Sequence, residues 1–128
     1  MGIEEVVEKT VTMSFEDFGY LSKTQRFWDE QAEWSRATFG SDTERGPLGP
    51  LKHLEKETEE ARQSWIKQDI PEAKVEIADC LFLTFDAARR AGMSLDDLLD
   101  TAFRKLEINK QREWQKPTND GPVEHVRE

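Results

Sequence analysis

The stretch "VEIADCLFLTFDAARRAG", residues 75–92, is the most apolar part of an otherwise very polar chain. It nevertheless contains two acids, Glu76 and Asp79, three residues apart among aliphatic and aromatic neighbours. Burying an ionised carboxylate without a partner is costly, so a carboxylate in such surroundings is usually paired with a cation, protonated or bound to a metal. The rest of the chain must supply whatever compensates these two charges.

The signals around this stretch predict two helices joined by a short connection. Asp69 followed by Glu72 has the form of an N-terminal capping pattern, Pro71 cannot continue the preceding helix, and Gly92 is a natural left-handed C-cap. Pro50 is expected in the first turn of the preceding helix. Because the connection is short, we expect an antiparallel helix hairpin. The predicted apolar stripe of its first helix is Leu51, Leu54, Thr58, Ala61 and Trp65.

Two further helices are predicted on either side of the hairpin, which makes the chain all-α. One begins at the N-cap Ser14 and precedes the loop "GSDTERGPLGP", residues 40–50; the other begins at Ser94. The seam of the first is Phe18, Leu21, Gln25, Trp28, Ala32, Ser35 and Phe39. The buried side of the last is Leu95, Leu98, Leu99, Ala102, Phe103 and Leu106. We expect an N-terminal arm over 1–13, a helical domain over 14–115 and a flexible tail over 116–128.

Composition and charge narrow the function classes. With 18 basic and 27 acidic residues the net charge is −9, which argues against nonspecific binding to a nucleic-acid polymer. A single cysteine excludes an internal disulfide framework. No apolar run has the length of a membrane span, and the N-terminus has no signal-peptide pattern, so we expect a soluble, cytoplasmic protein without a membrane partner.

The third helix has apolar residues around nearly its whole circumference, among them Leu81, Phe82, Leu83 and Phe85. Neighbours within so small a domain would struggle to cover every side of it. We therefore expect a homo-oligomer, either a dimer or a tetramer, in which a second subunit completes the core.

Two pairs of acids form the candidate chemical site. Glu57 and Glu60 share a face of the second helix, and Glu76 and Asp79 share a face of the third. An antiparallel hairpin can bring the pairs opposite each other, and a cluster of carboxylates suits Mg²⁺ first and Mn²⁺ as its usual substitute. The alternative for the first pair is an ordinary solvated helix face.

"KETEEA" followed by "EIADCLFL" resembles the signature of the MazG-like all-α nucleotide pyrophosphohydrolases, in which an ExxE pair precedes ExxD. A further glutamate often found just before ExxE is absent, since Lys56 stands there. Four longer blocks are similar to a subgroup of dATP/dGTP pyrophosphohydrolases, much of it from phages and including the MazZ enzymes. These blocks are "WSRATFG", "GPLGPLKHLEKE", "LFLTFDAARRAGMS" and "KLEINKQREW".

The resemblance implies hydrolysis of a purine deoxynucleoside triphosphate, dGTP or dATP, between its α and β phosphates. The products would be the monophosphate and pyrophosphate, and a phage-encoded enzyme would act in the host cytoplasm. Mg²⁺ or Mn²⁺ would be held by Glu57, Glu60, Glu76 and Asp79. Of the two catalytic glutamates, Glu57 and Glu60, the latter is the candidate that orients or deprotonates the attacking water.

Three side chains of the last helix are candidates for phosphate binding. Lys105, Asn109 and Arg112 have i, i+4, i+7 spacing, which is also found on ordinary solvated helix edges. Similarity of "KLEINKQREW" to the subgroup favours contact with the triphosphate. His53, one turn before Glu57, is either a substrate-binding group behind the metal ligands or a simple i, i+4 partner of that glutamate.

Other residues keep two interpretations. Trp34 and Phe39 could stack on a base or belong to the core. Asp86 either extends the acidic face or pairs with Arg89 or Arg90. For the whole chain, the alternative to an enzyme is a noncatalytic, acidic helical module that binds another protein.

Overall fold

The computed structural model describes residues 15–127, apart from the side chains of residues 15–18 and 20–22. Its helices are α1 (Phe15–Phe39), α2 (Leu48–Ile66), α3 (Ile70–Arg90) and α4 (Leu95–Gln111). The described residues contain no strand beyond one isolated bridge, so the all-α prediction is confirmed. None of these helices combines the length and apolarity needed to cross a bilayer. The predicted arm over 1–13 and the Ser14 cap lie outside the described residues.

Helices α2 and α3 form the predicted hairpin, with three residues between them. Gln68 in this link adopts φ 62°, which turns the chain back on itself. The amide of Asp69 donates to the carbonyl of Ser64 at 3.0 Å and closes α2. The carboxylate of Asp69 then accepts a hydrogen bond from the amide of Glu72 at 3.2 Å, so the predicted cap of α3 is confirmed. At the other end of α3, Gly92 has φ 92° as expected of a C-cap.

The stripe predicted for α2 is only partly right, because Leu54 and Ala61 face inward and its other members do not. Leu51 and Trp65 are exposed, as is Thr58, whereas Pro50 and Glu57 are buried. Leu54, Ala61 and Ser64 complete the inward side and are half-buried. Small and polar residues therefore share this side with Leu54, and the bulky Leu51 and Trp65 remain at the surface. As a result, a glutamate occupies the middle of the helix interface.

Helix α1 packs on α3 through aromatic contacts. The ring of Phe85 lies 5.6 Å from that of Phe27 and 5.3 Å from that of Trp28, measured between centroids. Ser35 is completely buried on the same side, as the seam predicts. Gln25 is a wrong member of that seam, because its amide is at the surface and donates to Asp29. The seam residue Phe39 is 48% exposed.

Contacts divide the described residues into two units, one ending at Leu95 and the other beginning at Asp96. The predicted buried side of α4 is only partly buried: Leu95 is buried and Leu98 half-buried, whereas the remaining members are exposed. Those exposed members are Leu99, Ala102, Phe103 and Leu106. An amphipathic pattern identifies the apolar face of a helix but not what covers it.

After α4 the chain doubles back in a short antiparallel pairing. The amide of Gln115 donates to the carbonyl of Glu124 at 3.0 Å, beside a bridge between Trp114 and His125. Flexibility of the tail over 116–128 stays a prediction.

Candidate active site

Three of the four predicted metal ligands converge where α2 meets α3. One oxygen from each of Glu57, Glu76 and Asp79 lies within 4.8 Å of the other two. Glu57 is buried on the inward face of α2, Glu76 is half-buried, and Asp79 is exposed one turn further along α3. The fourth predicted ligand, Glu60, is half-buried on α2 but is not a member of this group.

Mutual repulsion dominates the electrostatics of this cluster. The pKa of Glu76 is raised above its ordinary value by a shared hydrogen bond with Glu57, by burial and by the negative charges of Glu57 and Asp79. The pKa of Glu72, one turn earlier on α3, is raised in turn by its hydrogen bond with Glu76 and by that carboxylate's charge. Burial and these negative charges also raise the pKa of the Cys80 thiol. A divalent cation would relieve the repulsion, and the all-oxygen donor set fits Mg²⁺ or Mn²⁺.

His53 is the only basic partner that the described residues offer to the three clustered carboxylates. Its Nε2 lies 3.0 Å from Oε1 of Glu57. This i, i+4 contact confirms the simpler of the two interpretations of His53. The other ring nitrogen remains on a side chain that is 54% exposed, so the histidine can also face a bound molecule.

A pocket of about 390 Å³ lies beside the cluster; it is lined by Asp79, a member of the cluster, and by His53, which contacts Glu57. The pocket's aromatic walls are Trp34, Phe39 and Phe82. The ring of Trp34 is 5.4 Å from that of Phe39 and 5.6 Å from that of Phe82, both edge to face. Trp34 and Phe39 are about half exposed at 52% and 48%, so they line an open cavity instead of filling the core.

The floor of the pocket is a buried polar network centred on Asp86. Its Oδ1 accepts hydrogen bonds from Ser35 at 2.6 Å, from Gln31 at 3.0 Å and from Arg89 at 2.5 Å. Arg90 lies 3.3 Å from both carboxylate oxygens. Burial opposes ionisation of Asp86, but these hydrogen bonds outweigh it and lower its pKa. Pairing with arginine is thus confirmed for Asp86.

Arg90 connects this network to the loop that follows α1. Its Nη1 donates to the carbonyls of Gly40, Ser41 and Arg45, at 3.2, 3.1 and 2.8 Å. Asp42 in the same loop receives hydrogen bonds from Arg89 at 3.2 Å and from Arg36 at 2.7 Å. The loop that forms one wall of the pocket is therefore held from the interior.

The predicted phosphate-binding residues belong to the second unit. Lys105 is exposed on α4, Asn109 is half-buried, and Arg112 follows the end of the helix. The carbonyl of Asn109 accepts from the indole of Trp114 at 2.8 Å. Within this unit, burial and the charges of Arg112 and Lys105 lower the pKa of His125. Their relation to a nucleotide stays a prediction.

Sequence reasoning missed Glu72 and Arg45. Glu72 precedes Glu76 by four residues, so helical spacing alone could have added it to the acidic cluster. Arg45 lines the pocket from an irregular loop, where no periodicity indicates the direction of a side chain.

Fold and site together define an all-α protein with a carboxylate cluster suited to a divalent cation beside an aromatic pocket. The chain belongs to the dATP/dGTP pyrophosphohydrolase family, whose model matches residues 27–128. It is therefore related to nucleotide pyrophosphohydrolases, as the resemblance implied.

The chain is also similar to the Eaa protein of Salmonella phage P22, with 43% identity over 108 residues. The match covers 84% of this chain and 31% of the relative, so the chain spans about a third of the curated relative's length. This likeness supports the expected phage origin. No solved structure matches the chain.

Proposed function

We propose that the chain hydrolyses a purine deoxynucleoside triphosphate between its α and β phosphates, giving the monophosphate and pyrophosphate, with a divalent cation as cofactor. The observation that carries this proposal is the convergence of Glu57, Glu76 and Asp79 within 4.8 Å at the edge of an aromatic pocket. A cation site and a base-sized apolar cavity are the two parts that hydrolysis of a nucleotide requires. Family membership supplies the substrate class.

Glu57, Glu76 and Asp79 would hold Mg²⁺ or Mn²⁺, and we keep Glu60, one turn along α2 from Glu57, as the fourth proposed ligand. When bound, such a cation neutralises phosphate charge and lowers the pKa of a coordinated water. Glu57 is fixed in place by burial and by its hydrogen bond with His53. Glu60 is one turn further on, half-buried and outside the three-acid group, which leaves its oxygens available to orient the attacking water or accept its proton.

The pocket would hold the base. Trp34 and Phe82 meet edge to face, and their rings provide apolar surface for a purine. His53 lies between this aromatic part and Glu57, the position of a group that contacts the sugar or the phosphate of a bound nucleotide.

The decisive experiment is incubation of the protein with each deoxynucleoside and ribonucleoside triphosphate plus Mg²⁺, with separation of all products. We expect dGTP or dATP to yield monophosphate and pyrophosphate. Release of inorganic phosphate as the first product would overturn the assigned cleavage. Glu57→Gln should abolish turnover, while Glu55→Gln, an exposed acid on the same helix, should not.

Metal dependence has a test that does not require turnover. A cation present at 100 times its dissociation constant adds about 2.7 kcal/mol to the free energy of unfolding. We expect Mg²⁺ or Mn²⁺ to raise the melting temperature, and Asp79→Asn to reduce that rise. Absence of any shift with metal and nucleotide would favour the noncatalytic, protein-binding alternative.

We further propose that Lys105 and Arg112 donate to the triphosphate, together with Asn109. Lys105→Ala should weaken triphosphate binding without lowering the melting temperature, because the side chain is exposed and contributes little to the core. Lys23→Ala, another exposed lysine, is the matched control. Equal loss of affinity in both variants would contradict a specific role.

Finally, we propose a homo-oligomer, a dimer or a tetramer, in which one copy covers the outer face of α3 in another. Val75, Ile77 and Leu81 of α3 are 58%, 61% and 51% exposed in the single chain, on more than one side of the helix. Such apolar surface favours association. Light scattering at micromolar concentration should give a multiple of the 14.9 kDa chain mass, and a monomeric mass would contradict the proposal.

A further inference from the structure

We infer that Arg45 is a specificity-determining residue that donates hydrogen bonds to O6 and N7 of a guanine base, so that the site prefers dGTP to dATP. The inference rests on the proposed function. It begins from a cation without a counter-charge: Arg45 is exposed, lines the pocket and, among the described residues, has neither an ion pair nor a side-chain hydrogen bond. Its guanidinium lies over the ring of Phe39, with Cζ of Arg45 5.6 Å from the ring centroid.

Two hydrogen bonds hold the backbone of Arg45, and its guanidinium lies beside a glycine. Its carbonyl accepts from Nη1 of Arg90 at 2.8 Å, and its amide donates to the carbonyl of Ser41 at 3.0 Å. This glycine is Gly49, in the first turn of α2. A Cβ at Gly49 would lie 2.5 Å from Nη2 of Arg45 and 3.0 Å from Cζ. The missing side chain of Gly49 is therefore the space that the guanidinium occupies.

The guanidinium of Arg45 lies beside Gly49 near the start of α2, and this position assigns it to the base end of a nucleotide. Gly49 precedes Glu57 by eight residues, about 12 Å along the helix axis. His53 lies midway and lines the same pocket. With the α phosphate beside the carboxylates, the end of the pocket that contains Arg45 and the aromatic Phe39 would receive the base.

The chemistry of the guanidinium then selects between purines. Arginine has five N–H donors and no acceptor. Guanine presents two acceptors side by side, O6 and N7, whereas adenine presents N7 next to the N6 amino donor. Two N–H donors of the guanidinium can hydrogen-bond O6 and N7 of guanine. On adenine, one of these donors would face the N6 amino group, which is also a donor. Pairs of this kind discriminate about 5- to 150-fold between bases.

The test compares binding of the two nucleoside monophosphates, which are products and not substrates of the proposed reaction, in the presence of Mg²⁺, measured by calorimetry on the full chain. The wild type should bind dGMP more tightly than dAMP. Arg45→Ala should weaken dGMP binding about 5- to 150-fold and change dAMP binding less than about twofold. Arg62→Ala removes an exposed arginine that pairs with Glu59 on α2, and it should change neither affinity.

Gly49→Ala is a second variant that leaves Arg45 itself intact. The clash involves the far end of a flexible side chain, so the helix is retained and the guanidinium moves. Because alanine favours a helix more than glycine does, the melting temperature should not fall. We expect the same selective loss of dGMP affinity as in Arg45→Ala.

Several outcomes would overturn the inference. Equal loss of dGMP and dAMP affinity in Arg45→Ala would show that the guanidinium binds the phosphate. Unchanged affinities, or a wild-type preference for dAMP, would also contradict it. Selective dGMP binding without hydrolysis of any triphosphate would support the inference and refute the proposed function; hydrolysis with an unchanged dGTP to dATP ratio of kcat/KM in Arg45→Ala would do the reverse.

Discussion

Two aspartates on the same helix, two turns apart, have opposite surroundings. Asp86 is 4% exposed and is met by a serine, a glutamine and two arginines. Asp79 is exposed, and its closest charged neighbours are the carboxylates of Glu57 and Glu76. Both border the same pocket. The protein itself supplies the arginines that compensate Asp86, whereas the described residues place only other acids around Asp79 in the cluster.

The partners of the two acids, and not their burial, distinguish the structural acid Asp86 from Asp79, the acid that we propose as a cation ligand. Asp86 is the more deeply buried of the two, yet its charge is neutralised before any ligand arrives. The carboxylates around Asp79 repel one another, and the proposed cation would relieve that repulsion. Substitutions at the two positions should therefore have opposite effects on folding and activity.

Asp86→Asn should have the largest effect on stability. The mutation leaves Arg89 and Arg90, whose side chains are 5% and 0% exposed, without their buried counter-charge. Breaking such a pair typically costs about 3 to 5 kcal/mol. Urea denaturation should show a loss of that size in the free energy of unfolding. A loss below about 1 kcal/mol would mean that the two arginines are compensated by the loop carbonyls and Asp42 alone.

Asp79→Asn should lower turnover by about 100-fold or more while leaving the protein without metal at least as stable as wild type. The substitution removes one of several mutually repelling charges and one ligand of the proposed cation. Melting curves in EDTA and in Mg²⁺, together with triphosphate turnover, measure both effects. A variant that is strongly destabilised in EDTA yet active would contradict the metal site.

Glu59→Gln is the matched control for that experiment. Glu59 is an exposed acid on α2 whose pKa is lowered to about 2 by hydrogen bonds from Arg62 and Gln63. It is outside the cluster, so neither turnover nor the metal-dependent rise in melting temperature should change.

Asp42→Asn should have a smaller, pH-dependent effect. The hydrogen bond from Arg36 lowers the pKa of Asp42 below its usual value, and Arg89 adds to the shift. Because the folded-state pKa of Asp42 is lowered, the unfolded chain binds more protons between the two pKa values. The stabilisation is therefore present above the ordinary aspartate pKa and is lost as the pH falls through the folded-state pKa. The variant should lose about 1 kcal/mol at pH 7 and nothing once Asp42 is protonated, and an equal loss at pH 7 and pH 2 would contradict this.

The helices, the hairpin and the acids that converge on it could be predicted from the sequence, because caps, prolines and helical spacing are local signals. Asp69 and Gly92 fix the ends of α3, and the short link fixes the direction of α2. The buried side of α2 could be predicted only in part, since Leu51 and Trp65 of the predicted stripe are exposed while Glu57 is buried. Which face a helix buries depends on how closely its neighbour approaches, and that is a property of the pair.

The pocket was harder to predict for a different reason. Phe39 belongs to the predicted helical seam and Trp34 lies beside it, where aromatic residues usually signal core, and only the position of the following loop shows that they border a cavity. The loop that contains Arg45 is held by the side chain of Arg90, which lies 45 to 50 residues away in sequence and donates to the carbonyls of Gly40, Ser41 and Arg45. No periodic pattern contains that information.

The attachment of the loop to Arg90 has a consequence for protease sensitivity. An exposed loop that contains an arginine is ordinarily a preferred cleavage site for trypsin, and the segment around Arg45 meets that description. Cleavage, however, requires the segment to open into an extended form, which would break the hydrogen bonds from buried Arg90 to Gly40, Ser41 and Arg45. The rate of nicking after Arg45 thus becomes a measure of whether the buried polar network beneath the loop is intact.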